Sequence, residues 1–386
     1  MIKIRRSGKF GRQMIGAGHR RSWRSRLGLL AAILAISAPV VLVGGSATAS
    51  GAARVVDGPA QVVPGTTELD GIACRRHDNC LAVGSDDGEG VVVPITDGVP
   101  GTAEPVTVTT TLTAVSCPST TFCVAVGYGP YTNPPEPPTI AGFVVTIIDG
   151  NVRDENIVPG MGMPGDPDEV YLYGVACSST SSCLAGGWDA GLEDVILPVD
   201  NGYPQNEETV DGGSGIHAVA CRRVNCLAVG NGDPPRYEYG AGVVVPDIEG
   251  MPAGGGIQTN GVRDLYGVSC RSGTSCVSVG DDKNATEGVV VTVINQTPQP
   301  AKRVSGSTVL NGVACRSTAV DCLAVGDNSS NEGVIARIYN GTSGTVHAVS
   351  GTEDLNGVAC TTNTSCLIVG ANSSGEGVMA VVHLPS

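Results

Sequence analysis

The sequence predicts an all-β fold, a seven-bladed β-propeller with four strands per blade. Three observations carry this reading. One phrase recurs seven times after residue 49, and each copy holds a pair of cysteines. The segments inside each copy are short, bounded by glycine and rich in β-branched residues, which favours strands over helices. The last copy stops after its third strand-like segment, while a spare one precedes the first copy. Self-similarity at a fixed period marks a repeat architecture, and radial repetition of four-stranded units makes a propeller.

The phrase is Leu-x-Gly-Val-Ala-Cys, about five residues, Cys-Leu-Ala-Val-Gly, a polar loop, then Gly-Val-Val-Val-x-Ile. The first strand is the segment ending at the first cysteine, as in Leu310 to Cys315. The second starts at the second cysteine, as in Cys322 to Gly326. The third follows the polar loop, as in Val334 to Ile338, and the fourth is a weaker Val-rich stretch, as in Thr345 to Val349. The last unit ends with its third strand, Val378 to Leu384, so Ala60 to Gly65 is expected to complete that blade and close the ring. An open β-solenoid is the alternative, but it needs no spare strand. The first strand carries small residues at its third position: Gly71, Ala114, Gly174, Ala218, Gly267, Gly312 and Gly357. Strands crowded around an axis need such residues, and Gly312→Leu is expected to destabilise by roughly 1–3 kcal/mol through over-packing.

The cysteine pairs are Cys74/Cys80, Cys117/Cys123, Cys177/Cys183, Cys221/Cys226, Cys270/Cys276, Cys315/Cys322 and Cys360/Cys366. An even count in an exported chain reads as disulfides, one per unit. Each would close a loop of about seven residues and contribute roughly 2 kcal/mol. Metal binding is the competing reading; it lacks the C-x-x-C spacing and companion histidines of zinc sites.

Residues 1–26 hold nine basic side chains and no acid, Leu27 to Val43 is apolar, and Ala47-Thr48-Ala49 is a small-residue cleavage signal. This is the three-part pattern of a signal peptide. The chain therefore divides into a signal peptide, 1–49, cleaved after Ala49, and a propeller domain, 50–386. An uncleaved anchor is the alternative, since the apolar run is near the lower length for a spanning helix. The general secretion route is expected, with Arg20-Arg21 offering a weak twin-arginine signal. The whole chain has a net charge of −14. Loss of 1–49 takes nine of its 23 basic residues and none of its 37 acidic ones, which leaves −23. That balance argues against nucleic acid as a partner. The signal pattern and the cysteine pairs point to a secreted or extracellular protein, with cell-envelope association as an alternative, expected to be a monomer with no membrane span in its mature part.

The run Val115-Ser116-Cys117-Pro118-Ser119-Thr120-Thr121-Phe122-Cys123-Val124-Ala125-Val126-Gly127 resembles the paired-cysteine repeat of exported actinobacterial seven-bladed propellers, loosely grouped with sialidase-like Asp-box proteins. The resemblance covers nearly the whole mature chain and implies the fold, with no activity attached. Ser85 to Gly90 has the opening of an Asp-box without the Thr-Trp that follows it there.

Catalytic signals are sparse, and no catalytic residue is assigned. His77, His217, His347 and His383 fall in different parts of the unit, and no nucleophile elbow, zinc-protease or phosphate-loop motif is present. The arginines Arg75, Arg76, Arg222, Arg223, Arg271 and Arg316 follow first cysteines, at the hairpin tips of the opposite end. Asp70, His217, Asn311 and Asn356 are the polar candidates for a lyase or glycoside-active site at the axial mouth. Acidic tips at Asp86-Asp87, Asp281-Asp282 and Asp327, with Glu287, Glu332 and Glu376, read as solvated loops. No cofactor is expected, with calcium as the alternative these oxygen-rich tips offer.

A distribution of aromatics gives the strongest hint of a site. Eight of the twelve mature aromatic residues fall on one expected face, in the loops of units two to four and the strand entries beside them: Tyr128, Tyr131, Tyr171, Tyr173, Trp188, Tyr237, Tyr239 and Tyr266. His217 joins them. Aromatic side chains spared from a core and gathered on one face suggest a recognition surface, although tyrosine and proline also stiffen long loops. The expected partner is an extracellular protein, peptide or glycan, and the alternatives are an enzyme at the axial mouth and a structural envelope protein.

Overall fold

The computed structural model describes residues 59–384, except 77–78, 133–138, 159–168, 190–193, 207, 211–212, 224, 233–239, 249–250, 253–254, 317–320 and 363. The expected signal peptide lies outside the described residues.

Seven antiparallel sheets form the seven blades, and no described residue is helical. The inner strands are Glu68–Arg76, Thr111–Ser116, Val170–Ser179, Gly213–Arg222, Val262–Ser272, Val309–Cys315 and Asp354–Cys360. Each pairs with the strand that follows it, and so outward through a meander. The second strands read as continuous apolar runs, such as Cys322 to Val325, because both of their faces are covered by neighbouring blades. The core accordingly lies between blades. The leucine of each Leu-x-Gly phrase, or Ile216 in blade four, is fully buried there.

The ring closes as the sequence requires. Gln61 and Val62 pair antiparallel with Met379 and Val378, giving the last blade its fourth strand from the opposite end of the chain. Val63 and Met379 share one core cluster with residues of blades one and seven. Inside, Asn356 of blade seven donates hydrogen bonds to Glu68 and to the carbonyl of Leu69.

The fourth strand is less regular than the repeat suggests. In blades one, three, four and five it is split into two short pieces that pair with the same third strand. The first piece always ends in proline: Val99–Pro100, Tyr203–Pro204, Met251–Pro252 and Thr297–Pro298. Proline has no N–H for the ladder and is tolerated only at such an edge. Blades two and six have no proline there, and their outer strands Asn151–Ile157 and Thr342–Ala348 run on, with a bulge. Two-residue turns with both φ positive lead into five of these strands, including Asp97-Gly98 and Asn340-Gly341, the geometry that matches strand twist.

All seven expected cysteine pairs are disulfides, each within one blade. They are Cys74–Cys80, Cys117–Cys123, Cys177–Cys183, Cys221–Cys226, Cys270–Cys276, Cys315–Cys322 and Cys360–Cys366. The Cα atoms are 3.8 Å apart in the Cys177–Cys183 and Cys360–Cys366 pairs and 4.0 to 4.1 Å apart in the others. In six blades the two cysteines sit directly opposite in register on the first two strands; in blade two Cys117 lies just past the end of its strand. The metal alternative is thereby displaced.

The expected start of the second strand at its cysteine is corrected by one residue. Ser182 opens the strand before Cys183, and Ser365 opens it before Cys366. The other five blades do the same, starting at Asn79, Phe122, Asn225, Ser275 and Asp321. The reason is pairing with the far end of the third strand, where Ser182 faces Asp200 and Ser365 faces His383. The second cysteines therefore lie inside a ladder paired on both sides. Cys183 and Cys366 are buried in this position, packed against the cores of two different blade seams.

Candidate functional site at the axial mouth

One device, repeated seven times, builds the site. Each inner strand slips register by one residue just after its buried leucine or isoleucine. The skipped residue is the x of the Leu-x-Gly phrase: Asp70, Thr113, Tyr173, His217, Tyr266, Asn311 and Asn356, in blade order. A β-bulge re-aims the side chain it carries, and these seven all line the axial channel. The bulge also explains the glycine that ends every Cys-x-x-Val-Gly or equivalent second-strand run. At Gly84, Gly127, Gly187, Gly230, Gly280, Gly326 and Gly370 a Cβ would collide with the backbone carbonyl of the residue before the buried leucine or isoleucine. The small residues after the bulge do the neighbouring work. A Cβ on Gly312 would stand 2.6 Å from the carbonyl oxygen of Asn356 in the next blade.

At one end the channel widens into a mouth of about 500 Å³, lined among others by Glu68, Asp70, Tyr128, Tyr173, His217 and Tyr266. The narrower part within, about 160 Å³, is walled by the bulge residues and the small residues behind them.

The mouth has two unlike halves. One is aromatic. Trp188 stacks on Tyr171 with ring centroids 4.6 Å apart and planes within 9°. Tyr171 meets Tyr128 edge-on at 5.0 Å, and Tyr128 meets Tyr173 at 6.0 Å. Tyr173 then approaches His217 at 5.9 Å, and His217 approaches Tyr266 at 5.2 Å. The Trp188 indole N–H donates to the Tyr173 hydroxyl at 3.3 Å. Six rings from blades two to five thus form one continuous row. Burial lowers the pKa of His217, against a smaller opposing pull from Asp264, so its imidazole is neutral near pH 7. Burial, with neighbouring charges, raises the phenol pKa of Tyr266, Tyr128 and Tyr171.

The other half is acidic. Burial raises Asp70 to about 7, reinforced by Glu68 and Asp354, while a hydrogen bond from Thr111 at 3.1 Å opposes the rise. Burial and Asp354 raise Glu68 as well, and the same two causes push Asp327 up to about 6. In blade five, at the seam between the halves, Asp264 accepts a hydrogen bond from the Tyr266 hydroxyl at 3.0 Å, and Arg263 pairs with both Asp264 and Asp281.

The structure brings six of the sequence-derived site residues together: Tyr128, Tyr171, Tyr173, Trp188, His217 and Tyr266. Tyr128 and Tyr131, expected in a loop, stand on the second strand of blade two, Phe122–Tyr131, because this hairpin continues its pairing as far as Tyr131 and Thr139. Among the described residues no ring contact joins Tyr131 to the row. Tyr237 and Tyr239 lie outside the described residues, as does His77. The polar candidates Asp70, His217, Asn311 and Asn356 are all bulge residues. His347 and His383 sit in the outer strand of blade six and the third strand of blade seven, as their sequence positions imply. Of the acidic tips, Asp86, Asp281, Asp282 and Asp327 are corrected: they belong to second strands. Asp282 is fully buried, with its carboxylate capping the backbone N–H groups of Thr286 and Glu287. Asn328 and Asn372 close the equivalent tips of blades six and seven in the same way. Sequence reasoning missed the acidic arc of Glu68, Asp264 and Asp354. Its signal was the position two residues before each bulge.

The fold and the axial site define the class: the chain is a seven-bladed β-propeller with an intra-blade disulfide in every blade. No family model matches the chain, and no curated protein matches it either. Solved structures share the fold. The WD40 β-propeller domain of Doa1 is 10% identical with a TM-score of 0.56, covering 86% of this chain and 98% of that one. YCF48 bound to D1 peptide is 13% identical with a TM-score of 0.51, covering 86% and 99%. BBS1N in complex with ARL6DN is 10% identical, also at 0.51, covering 86% and 97%.

Proposed function

We propose that the protein is an exported binding scaffold that holds a peptide, or an extended segment of an extracellular protein, in the axial mouth. The observation that carries this reading is the row of six rings from Trp188 to Tyr266. Rings at bulge and strand positions are held rigidly, and such aromatic side chains give contact area at small entropic expense. A mouth of about 500 Å³ is within the range of ligand sites. Two fold neighbours, YCF48 and BBS1N, are described with a peptide and a protein partner, which supports the use of this fold for binding. Seven disulfides support an oxidising compartment.

The test is affinity capture from culture and cell-envelope extracts. The propeller domain is compared with a Tyr128→Ala/Tyr266→Ala variant of unchanged melting temperature. Capture of a partner by the wild type alone is expected. Equal capture by both removes the aromatic row from the site.

Asp70 favours a second reading. A carboxyl group in a cleft with its pKa near 7 is suited to proton transfer, as a lyase or glycoside-active enzyme would require. Turnover that survives Tyr128→Ala/Tyr266→Ala but disappears in Asp70→Asn would favour catalysis over binding.

A further inference from the structure

The two halves of the mouth differ in chemistry, and together they select a ligand. We infer that the mouth recognises a cationic side chain, a lysine ammonium or arginine guanidinium of a bound peptide, held by Glu68 and Asp70 together with Tyr128, Tyr173 and Tyr266. This inference rests on the binding reading above and names its ligand class.

Glu68 and Asp70 line the same cavity as Tyr128, Tyr173 and Tyr266, and Tyr128 is near enough to feel both charges. Their described partners are neutral: Asn356 donates to Glu68, and Thr111 donates to Asp70. Among the described residues neither carboxylate has an ion-pair partner. The only titratable nitrogen lining the mouth, among the described residues, is His217, which burial keeps neutral; Arg263, outside the lining, donates to the Tyr266 hydroxyl and is ion-paired with Asp264 and Asp281. The cavity thus presents carboxylates and aromatic rings together. A cation is attracted by both, through Coulomb forces and through the ring quadrupole. An anion is repelled by the carboxylates, and a neutral group leaves them desolvated without return. A metal ion fits less well, because among the described residues no three His, Cys, Asp or Glu side chains converge on one position. The volume is also larger than one ammonium needs, leaving room for flanking backbone.

A cation beside Asp70 lowers the pKa of that carboxyl. Binding therefore releases a proton, and affinity rises from pH 6 to pH 8 around the free value of about 7.

The experiment is titration calorimetry on the whole propeller domain with acetylated, amidated pentapeptides. The central residue, between glycines, is lysine, arginine, norleucine or glutamate. Lysine or arginine peptides are expected to bind on the order of tenfold more tightly than the norleucine peptide. Asp70→Asn/Glu68→Gln should erase that preference, whereas Asp154→Asn/Glu155→Gln, an equal charge change on the exposed outer strand of blade two, should keep it. Equal binding of basic and norleucine peptides, or equal loss in both charge variants, overturns cation selection. If the norleucine peptide then still loses binding in Tyr128→Ala/Tyr266→Ala, the mouth remains a peptide site and only the cation inference falls. No binding by any peptide at millimolar concentration overturns both. Butylammonium, the same cation without a backbone, separates the sources: affinity equal to that of the lysine peptide keeps the cation and discards the peptide.

Discussion

Asp70 shows how a single residue ties the site to the stability of the ring. Its carboxyl holds a proton up to about pH 7 in the folded chain, against an ordinary 3.8. Between those values the native state binds a proton that the unfolded chain has released. Stability must therefore fall as pH rises through that window, and stay reduced above it. Asp70→Asn should remove the penalty. Its advantage should grow from about pH 4 to pH 7 and reach about 1–3 kcal/mol at pH 8, once solvent screening at the mouth is allowed for. Thermal melts of both proteins across that range check the sign. A variant less stable than the wild type at pH 8 would show that Asp70 is needed charged. Asp70 was visible in the sequence as a polar candidate, but its acidic neighbours were not. Glu68 and Asp354 lie in different blades and meet only across the seam where the ring closes, so no window of sequence contains them both. The aromatic half was legible because its members share one face of consecutive units.

At the scale of the element, the inner strand with its bulge explains most of the repeated phrase. Leucine fills the inter-blade core, the next residue enters the channel, the third must be small, and the facing strand must carry glycine. The structure separates two kinds of glycine. Gly326 faces the Val309 carbonyl across one hairpin, where neither backbone can move without breaking the ladder. Gly326→Ala should lose about 2–3 kcal/mol, the upper part of the over-packing range. Gly312 faces the next blade, and Gly312→Leu is expected to lose a similar amount while also loosening the channel wall. Urea denaturation compares them: equal midpoints for Gly326→Ala and wild type would refute the steric account. The four-strand unit and its disulfide were readable from the phrase itself. The residue before each second cysteine was not readable as strand, because Ser182 and Ser365 are polar and owe their place to a partner on the third strand. The split fourth strand was not legible either, although the proline that ends its first piece in blades one, three, four and five stood in the sequence. Propensity patterns treat the Val-rich stretch as one strand, whereas the pairing is interrupted after the residue that follows proline.

The molecule as a whole is a ring held shut by the pairing of Gln61 and Val62, by further backbone bonds such as Val63 N–H to the Gly377 carbonyl, by the Asn356 hydrogen bonds and by one shared core. Removing residues up to Pro64 takes away the partner of Val378 and Met379 and uncovers the edge of blade seven. Such an edge pairs with other chains. The shortened protein should melt at lower temperature and form larger species in sedimentation, whereas the intact propeller domain should stay a single species under the same conditions. The seven disulfides do not oppose this opening, because each lies inside a blade and spans only five to seven residues of sequence. Among the described residues no covalent bond links one blade to another except the chain itself. Under tension applied at the two ends, the last blade is the first to give, since the load falls directly on the Gln61–Met379 seam. The blades behind it can then peel one by one. Each would release nearly its whole contour length, shortened only by the small loop its disulfide retains.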